Sequence, residues 1–88
     1  METPEARLKR MVMRSWRRGT KEMDLVLGPY AEAHLGHMTL AALDAYDALL
    51  AENDQDLMAW MLGQKPAPAL HAGLIATLRG FAAERLRV

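Results

Sequence analysis

The sequence RSWRRGTKEMD, residues 14–24, is the most densely charged stretch of the chain and divides its predicted helices. It contains one of the two tryptophans, and its single glycine, Gly19, interrupts a run of basic residues. Glycine readily adopts the left-handed conformation that closes a helix, so Gly19 is predicted to end a first helix. Thr20 follows with a side-chain oxygen suited to capping a second helix. We therefore expect this stretch to form a turn that the rest of the chain supports.

The chain on either side of this turn predicts two amphipathic helices. Thr3 and Pro4 favour the cap and the first position of a helix, and apolar residues then recur on one face, opposite a stripe of arginines. The second helix runs to about Gly36. Pro29 lies inside it and removes a backbone hydrogen bond, so we expect a kink there. The alternative is a helix that stops at Leu27 and restarts.

Three further helices are predicted in the remainder of the chain. Thr39 is expected to cap the third, Asp54 to cap a short fourth that ends at Gly63, and Pro68 to open the fifth. The composition also favours helix, because alanine and methionine are abundant and β-branched residues are few. Five helices with short links predict a compact all-α five-helix bundle.

The length of 88 residues predicts a single helical domain spanning 1–88, with frayed ends at 1–4 and 83–88. The chain has no cysteine, so neither a disulfide nor a thiolate zinc site supplements its core. No apolar run is long enough to span a membrane, so direct membrane insertion is not expected. Acidic residues at Glu2 and Glu5 are not typical of a secretory signal.

Charge is balanced in total but unevenly placed along the chain. Seven of the eleven lysines and arginines precede residue 22, whereas none occurs between residues 22 and 64, where eight of the eleven acids lie. The sequence therefore predicts a basic end and an acidic middle. Such asymmetry favours a partner that is selected electrostatically.

The residue types that carry chemistry do not form a catalytic or metal-binding set. His34 and His37 are three residues apart, but no third ligand has suitable spacing and His71 is distant, so we expect no metal site. Ser15 is the only serine and has no histidine nearby to activate it. Asp54 is better explained by a helix start than by acid–base chemistry. We therefore expect no catalytic residues, no cofactor-binding residues and no enzymatic activity.

The arginines of the first helix suggest one alternative function, a small nucleic-acid-binding module. Arg7, Arg10, Arg14 and Arg17 recur at three- or four-residue spacing and form a stripe that could follow a phosphate backbone. Against this, the net charge is zero and the acidic middle would be repelled by phosphates. Trp16 is the only aromatic residue among the basic ones.

Arg18 and Glu22 allow two explanations on the residues alone. Their spacing of four permits an exposed ion pair, which would contribute only about 0.3–0.5 kcal/mol. Alternatively, the turn is a docking surface. Gly19 then lets a partner's backbone approach, Arg18 offers a planar fork to a carboxylate or carbonyl, and Glu22 accepts from partner donors.

Several segments resemble one protein family, the succinate dehydrogenase assembly factors, or SdhE-like flavinylation factors, of bacteria and mitochondria. Arg18-Gly19-Thr20-Lys21-Glu22 matches their RGxxE motif, and Arg17 and Asp24 fit the longer pattern RRGxxExD. The segment DQDLMAW, residues 54–60, resembles the family pattern DxDLxxW. The resemblance covers residues 14–66 and favours the docking explanation of the turn.

This resemblance implies a five-helix bundle that acts as a non-enzymatic assembly factor. Family members bind the flavoprotein subunit of succinate dehydrogenase, and in some bacteria that of fumarate reductase. They promote covalent attachment of FAD to a histidine of that subunit, by holding it in a conformation where flavinylation is self-catalysed. The implied protein binds no FAD stably, is a monomer when free, does not bind nucleic acid, and acts in the bacterial cytoplasm or the mitochondrial matrix.

The same resemblance implies where the partner binds. Arg18, Gly19 and Glu22 belong to the contact surface, with Arg17 and Asp24 as its supports. The segment 54–60 belongs to the scaffold, because a capping acid and a buried aromatic residue account for it structurally.

Overall fold

The computed structural model describes residues 1–85, and within them the fold is all-α. Five α-helices follow one another along the chain: α1 (Pro4–Trp16), α2 (Lys21–His34), α3 (Leu40–Leu50), α4 (Asp54–Met61) and α5 (Ala69–Arg85). A single 3-10 turn, Leu35–His37, extends α2. The predicted all-α five-helix bundle is therefore confirmed. Residues 86–88, part of the predicted frayed end, lie outside the described residues, and fraying at either end stays a prediction.

Helix starts follow the sequence signals closely. The side-chain oxygens of Thr3, Thr20 and Thr39 each accept a hydrogen bond from the backbone N–H three residues later, which confirms all three predicted caps. The cap predicted at Asp54 is wrong, because Asn53 caps α4 through a 2.9 Å bond from Asp56 N to its side-chain oxygen. Asp54 is instead the first residue of the helix, and its carboxylate is directed elsewhere.

Helix ends differ more from expectation. The first helix ends at Trp16, three residues before Gly19, and Gly19 does not adopt the left-handed conformation predicted for it. Among the described residues the one positive φ belongs to Gly63, after α4, where the expectation is confirmed. The second helix continues through Pro29 to His34, so the alternative of a break after Leu27 is wrong, while the kink stays a prediction.

The core lies where the five helices meet. It contains fourteen buried apolar residues from α1, α2, the 3-10 turn, α3, α4 and α5, and Tyr46, Leu27, Leu57 and Leu78 are among the most deeply buried. Each helix supplies residues to this one cluster, so no helix is independent of the others. Among residues 1–85, no helix is both long and apolar enough to cross a lipid bilayer.

Ion pairs join α1 to α3 outside this core. Arg7 contacts Asp44 at 2.6 Å, and Arg10 donates two hydrogen bonds to the carboxylate of Asp47, at 2.9 and 3.0 Å. The bonds from Arg10 hold the pKa of Asp47 below its ordinary value, and Arg10 also pairs with Glu2. The predicted separation into a basic end and an acidic middle is therefore wrong in space, because folding places the two side by side.

Candidate partner-binding surface

The link between α1 and α2, residues 17–20, is a tight turn that its own residues hold in place. The backbone N–H of Arg18 donates to Asp24 Oδ1 at 2.6 Å, and the backbone N–H of Asp24 donates to the Thr20 carbonyl at 3.2 Å. Thr20 also caps α2. We call residues 17–24 the charged turn. The predicted supporting role of Asp24 has a clear local cause, since its carboxylate ties the turn to the first turn of α2.

Arg18 anchors the charged turn to the opposite side of the bundle. Its Nε donates to Asp54 Oδ1 at 2.7 Å, its Nη1 to the Leu50 carbonyl at 2.7 Å and its Nη2 to the Glu52 carbonyl at 2.6 Å. Its side chain is only 8% exposed, and that of Asp54 only 14%. The planar guanidinium suits three diverging acceptors, which an ammonium group could not match. The guanidinium group that we expected Arg18 to offer a partner therefore binds acceptors within the chain instead.

Asp54 binds the charged turn at a second point and explains its glycine. Asp54 Oδ2 accepts a hydrogen bond from the backbone N–H of Thr20 at 3.0 Å. A Cβ at Gly19 would lie 2.6 Å from that same oxygen, closer than a carbon and an oxygen can approach. Because Arg18 and Thr20 hold the carboxylate, it cannot simply move away. Gly19 is thus required for close approach of the chain to Asp54, and not for the left-handed conformation that the sequence suggested.

Three long side chains of the charged turn point outward. Arg17, Lys21 and Glu22 are exposed, and none of their side chains makes a hydrogen bond or ion pair with another residue in the range 1–85. The explanation that Arg18 pairs with Glu22 is wrong, because all three guanidinium nitrogens bind other acceptors. The surface therefore presents two cations and one carboxylate around Gly19, which is itself exposed.

The structure brings together all five residues predicted to bind a partner, but it changes their roles. Arg17, Gly19 and Glu22 lie at the surface, whereas Arg18 and Asp24 hold the turn from beneath. We expected the opposite for the two arginines, with Arg18 at the contact and Arg17 as a support. Two adjacent arginines cannot be distinguished by type or spacing, and the positions of Asp54 and of the Leu50 and Glu52 carbonyls decide which one is buried.

Two residues that position this surface were missed by sequence reasoning. Asp54 was assigned to a cap, although the ordinary cap residue Asn53 directly precedes it. Gly28 was assigned no role, yet a Cβ there would overlap the indole ring of Trp16. A glycine inside a helix costs up to about 1 kcal/mol and therefore signals a packing reason. The close approach of Gly28 keeps Trp16, beside the charged turn, against α2.

A buried polar contact lies under the end of α1. Ser15 Oγ donates to the Met11 carbonyl at 2.8 Å and lies 2.7 Å from the hydroxyl of Tyr46, which is also fully buried. Burial raises the pKa of Tyr46 to about 12, so its hydroxyl stays neutral at ordinary pH. A fully enclosed, hydrogen-bonded serine has no route to a substrate, so Ser15 has a structural role.

The three histidines do not converge. His34 and His37 are exposed near the end of α2, whereas His71 is buried in α5, with its Nε2 2.8 Å from Glu52 Oε2 and its ring packed near Trp60. Within residues 1–85, no three histidine, aspartate or glutamate side chains cluster closely enough to hold a metal ion. The role of His71 is to connect α5 to the link before α4.

The arginine stripe of α1 is largely occupied by contacts with α3. Arg7 and Arg10 bind Asp44 and Asp47, and Arg14 Nη2 donates to the Leu50 carbonyl at 3.1 Å. Carboxylates among these arginines would repel a phosphate backbone. Two of the four arginines in the stripe that motivated a nucleic-acid-binding alternative are thus paired with carboxylates, Arg14 is bound to a carbonyl, and the Arg17 side chain makes no bond to a described residue.

Comparison with known proteins gives consistent matches. The family model described as "Flavinator of succinate dehydrogenase" matches residues 9–82. "Succinate dehydrogenase assembly factor 2, mitochondrial" from Mycosarcoma maydis is 38% identical over 68 residues, which cover 77% of this chain and 29% of that protein. The protein of the same name from Schizosaccharomyces japonicus is 37% identical over 67 residues, covering 76% of this chain and 47% of the relative. The chain thus spans less than half the length of either relative.

Proposed function

Because this chain belongs to the flavinator of succinate dehydrogenase family, we propose that it binds the flavoprotein subunit of succinate dehydrogenase and promotes covalent FAD attachment there. The observation that carries the proposal is the charged turn. It lies inside the matched region and is anchored by a buried arginine, yet it presents Arg17, Lys21 and Glu22 to solvent without partners among the described residues.

The anchored turn suits recognition of a folded surface. Side chains on a fixed backbone lose less conformational freedom on binding, so more of their interaction energy appears as affinity. Arg17 and Glu22 supply opposite charges on either side of Gly19, which selects a partner surface of complementary pattern. The exposed Gly19 has no side chain to hold a partner's backbone away. Recognition would therefore combine charge pairing with a close backbone contact.

The proposed action is conformational and not chemical. The factor would hold the flavoprotein in an arrangement in which the subunit attaches its own FAD, and it would need no catalytic group and no stably bound FAD. We propose the flavoprotein of fumarate reductase as a second partner, since it is attached to the same cofactor. The free factor is proposed to be a monomer that acts where the flavoprotein folds, in the bacterial cytoplasm or the mitochondrial matrix.

Complementation of a strain that lacks the factor tests this proposal. Glu22→Ala removes the exposed carboxylate, and we expect it to weaken flavoprotein binding about tenfold or more, as loss of an interfacial charge pair does. The amount of covalent flavin on the subunit, measured by in-gel fluorescence, should fall as binding weakens. The Glu22 side chain is exposed and makes no bond to a described residue, so the variant should remain folded.

Glu32→Ala is the matched control, because Glu32 is also an exposed glutamate of the same helix and lies outside the charged turn. It should leave covalent flavin unchanged. Wild-type levels of covalent flavin with a folded Glu22→Ala variant would contradict the role of Glu22. Normal covalent flavin in the strain without any factor would contradict the proposed function as a whole.

A further inference from the structure

An open apolar groove lies beside the charged turn, where α2, α4 and α5 meet. Its volume is about 930 Å³, and its walls are mainly apolar side chains, among them Leu25, Val26 and Leu62. Leu25 is 52% exposed and Leu62 is 60% exposed. Two large exposed aliphatic residues facing one groove differ from scattered surface leucines, because a contiguous apolar surface of this kind marks an interaction site.

The groove is continuous with the charged turn. Glu22 belongs to the turn and also lines the groove, where Met23, the next residue of α2, contributes to the wall. A partner that contacts Glu22 therefore also reaches the apolar wall. Three methionines, Met23, Met58 and Met61, line the same groove. Methionine is unbranched and polarizable, so such a wall adapts to an irregular apolar partner surface.

Charge at the groove favours an acidic occupant. Arg79 and Arg85 of α5 line it together with the single carboxylate of Glu22. Arg85 packs over the ring of Phe81, and Arg79 makes no ion pair with a residue in the described part of the chain. A second copy docked groove to groove would bring four arginines and two glutamates together, which leaves excess positive charge. A partner segment that carries a carboxylate would balance the arginines instead.

We propose that this groove receives an amphipathic helical segment of the flavoprotein subunit, with apolar side chains on one face and a carboxylate that pairs with Arg79 or Arg85. The proposal rests on the proposed function and extends the docking surface from the charged turn along α2. Helices bind such grooves through apolar residues at three- and four-residue spacing. A dinucleotide cofactor would need several converging polar groups, whereas the described residues bring to the groove only the charged groups of Glu22, Arg79 and Arg85.

The test measures binding of purified flavoprotein subunit to the full chain by calorimetry, for four forms of the protein. The groove variant Leu25→Ser/Leu62→Ser removes two exposed leucines of the groove. The matched control Leu40→Ser/Leu70→Ser removes two leucines that are each 73% exposed and lie outside it. The other two forms are the wild type and Glu22→Ala. We expect a Kd at least about tenfold higher for the groove variant and a change below about twofold for the control.

A charge reversal and a crosslink identify the occupant. Arg79→Glu should weaken binding, and p-benzoylphenylalanine in place of Leu62 should crosslink to a flavoprotein segment with helical apolar spacing and an acidic residue. Crosslinking to a segment without these features would overturn the assignment. Sedimentation of the factor alone checks the other occupant, because a dimer that the groove variant dissociates would assign the groove to a second copy.

The outcomes separate this inference from the proposed function. If Glu22→Ala weakens binding and the groove variant binds like wild type, the groove inference is wrong and the proposed function stands. If the groove variant and the control weaken binding equally, the effect is not specific to the groove and the inference is also wrong. If the wild type does not bind the flavoprotein at all, both proposals fail.

Discussion

Two arginine–aspartate contacts connect the first quarter of the chain to its middle, and they differ mainly in exposure to water. At the outer contact, Arg7 and Arg10 of α1 meet Asp44 and Asp47 of α3, where the Asp44 side chain is 69% exposed and that of Asp47 is 25% exposed. At the inner contact, Arg18 meets Asp54 with both side chains below 15% exposed. The ionic groups are the same, but their surroundings are not.

Burial turns an ion pair from a weak attraction into a positional constraint. Water screens the outer contact, and holding long side chains in place offsets much of the attraction that remains. The inner contact is shielded, and every polar atom of its guanidinium has an acceptor. Losing one partner there leaves a buried charge uncompensated. The outer contact therefore adjusts stability, whereas the inner one fixes the geometry of the charged turn.

The largest effect is expected from Asp54→Ala. It leaves the buried guanidinium of Arg18 without its counter-ion and removes the acceptor for the Thr20 N–H. Removing one member of a buried pair typically lowers the free energy of unfolding by about 3–5 kcal/mol. Urea denaturation followed by circular dichroism measures the change. Asp54→Asn should lower the free energy of unfolding by less, because the amide oxygen still accepts one hydrogen bond.

Asp44→Ala is the control from the outer contact, because it removes an aspartate that also pairs with an arginine. We expect little change in the free energy of unfolding. If Asp44→Ala and Asp54→Ala destabilised the protein equally, the distinction between an inner and an outer contact would be broken.

A smaller effect is expected from Gly19→Ala. The added methyl group would lie 2.6 Å from Asp54 Oδ2, so either the carboxylate or the turn must shift. Overpacking of this kind costs about 1–3 kcal/mol of unfolding free energy.

Gly73→Ala provides a control of opposite sign, since nothing lies within 4 Å of its added methyl group. Alanine favours the interior of α5 by about 0.5–1 kcal/mol over glycine. Thermal unfolding of both variants measures these changes. If Gly73→Ala did not raise the midpoint of unfolding, or Gly19→Ala did not lower it, these assignments would be contradicted.

The smallest change in the free energy of unfolding is expected when Asp47 is replaced, and its size depends on pH. Hydrogen bonds from Arg10 lower the pKa of Asp47 in the folded protein, so the pair stabilises the fold only where the carboxylate is ionised. That stabilisation is present above the ordinary aspartate value of 3.8 and is lost as pH falls through the lowered folded value. The stability difference between wild type and Asp47→Asn should therefore be present near neutral pH and vanish in acid.

Arg10→Gln sharpens this last prediction. It removes the main donor that lowers the pKa of Asp47, so most of the acid-dependent stability difference should disappear, and Arg7, which lies 3.5 Å from the same carboxylate, should keep the remainder. Added salt should reduce the wild-type advantage near neutral pH, since the contact is partly exposed. A stability difference that stayed constant from neutral to acidic pH would show that the carboxylate charge does not stabilise the fold.

Local signals predicted the helices well because their causes lie within a few residues. A threonine that caps a helix bonds to an N–H three positions away, so Thr3, Thr20 and Thr39 were identifiable from sequence. Gly63 closes α4 through its own backbone conformation. Asn53 and Asp54 were both candidates for the cap of α4. The sequence alone does not distinguish them, because both residue types cap helices well.

The sequence placed the five motif residues in one turn but did not predict which of them are buried. The motif residues Arg17, Arg18, Gly19, Glu22 and Asp24 do lie together, because they are close in sequence. Their division into exposed and buried positions depends on Asp54 and on the carbonyls of Leu50 and Glu52, more than thirty residues further along the chain. Short-range patterns contain no information about contacts of that length.

The amino-acid sequence alone specifies an all-α fold, the starts of α1, α2 and α3, and a charged turn between the first two helices. Each follows from backbone chemistry that acts within one or two helical turns. The packing of the helices, in contrast, establishes that Gly19 makes room for Asp54, that Arg18 is an internal anchor, and that two arginines of α1 pair with carboxylates of α3. These outcomes depend on which groups folding removes from water, and burial is a property of the packed bundle and not of any single segment.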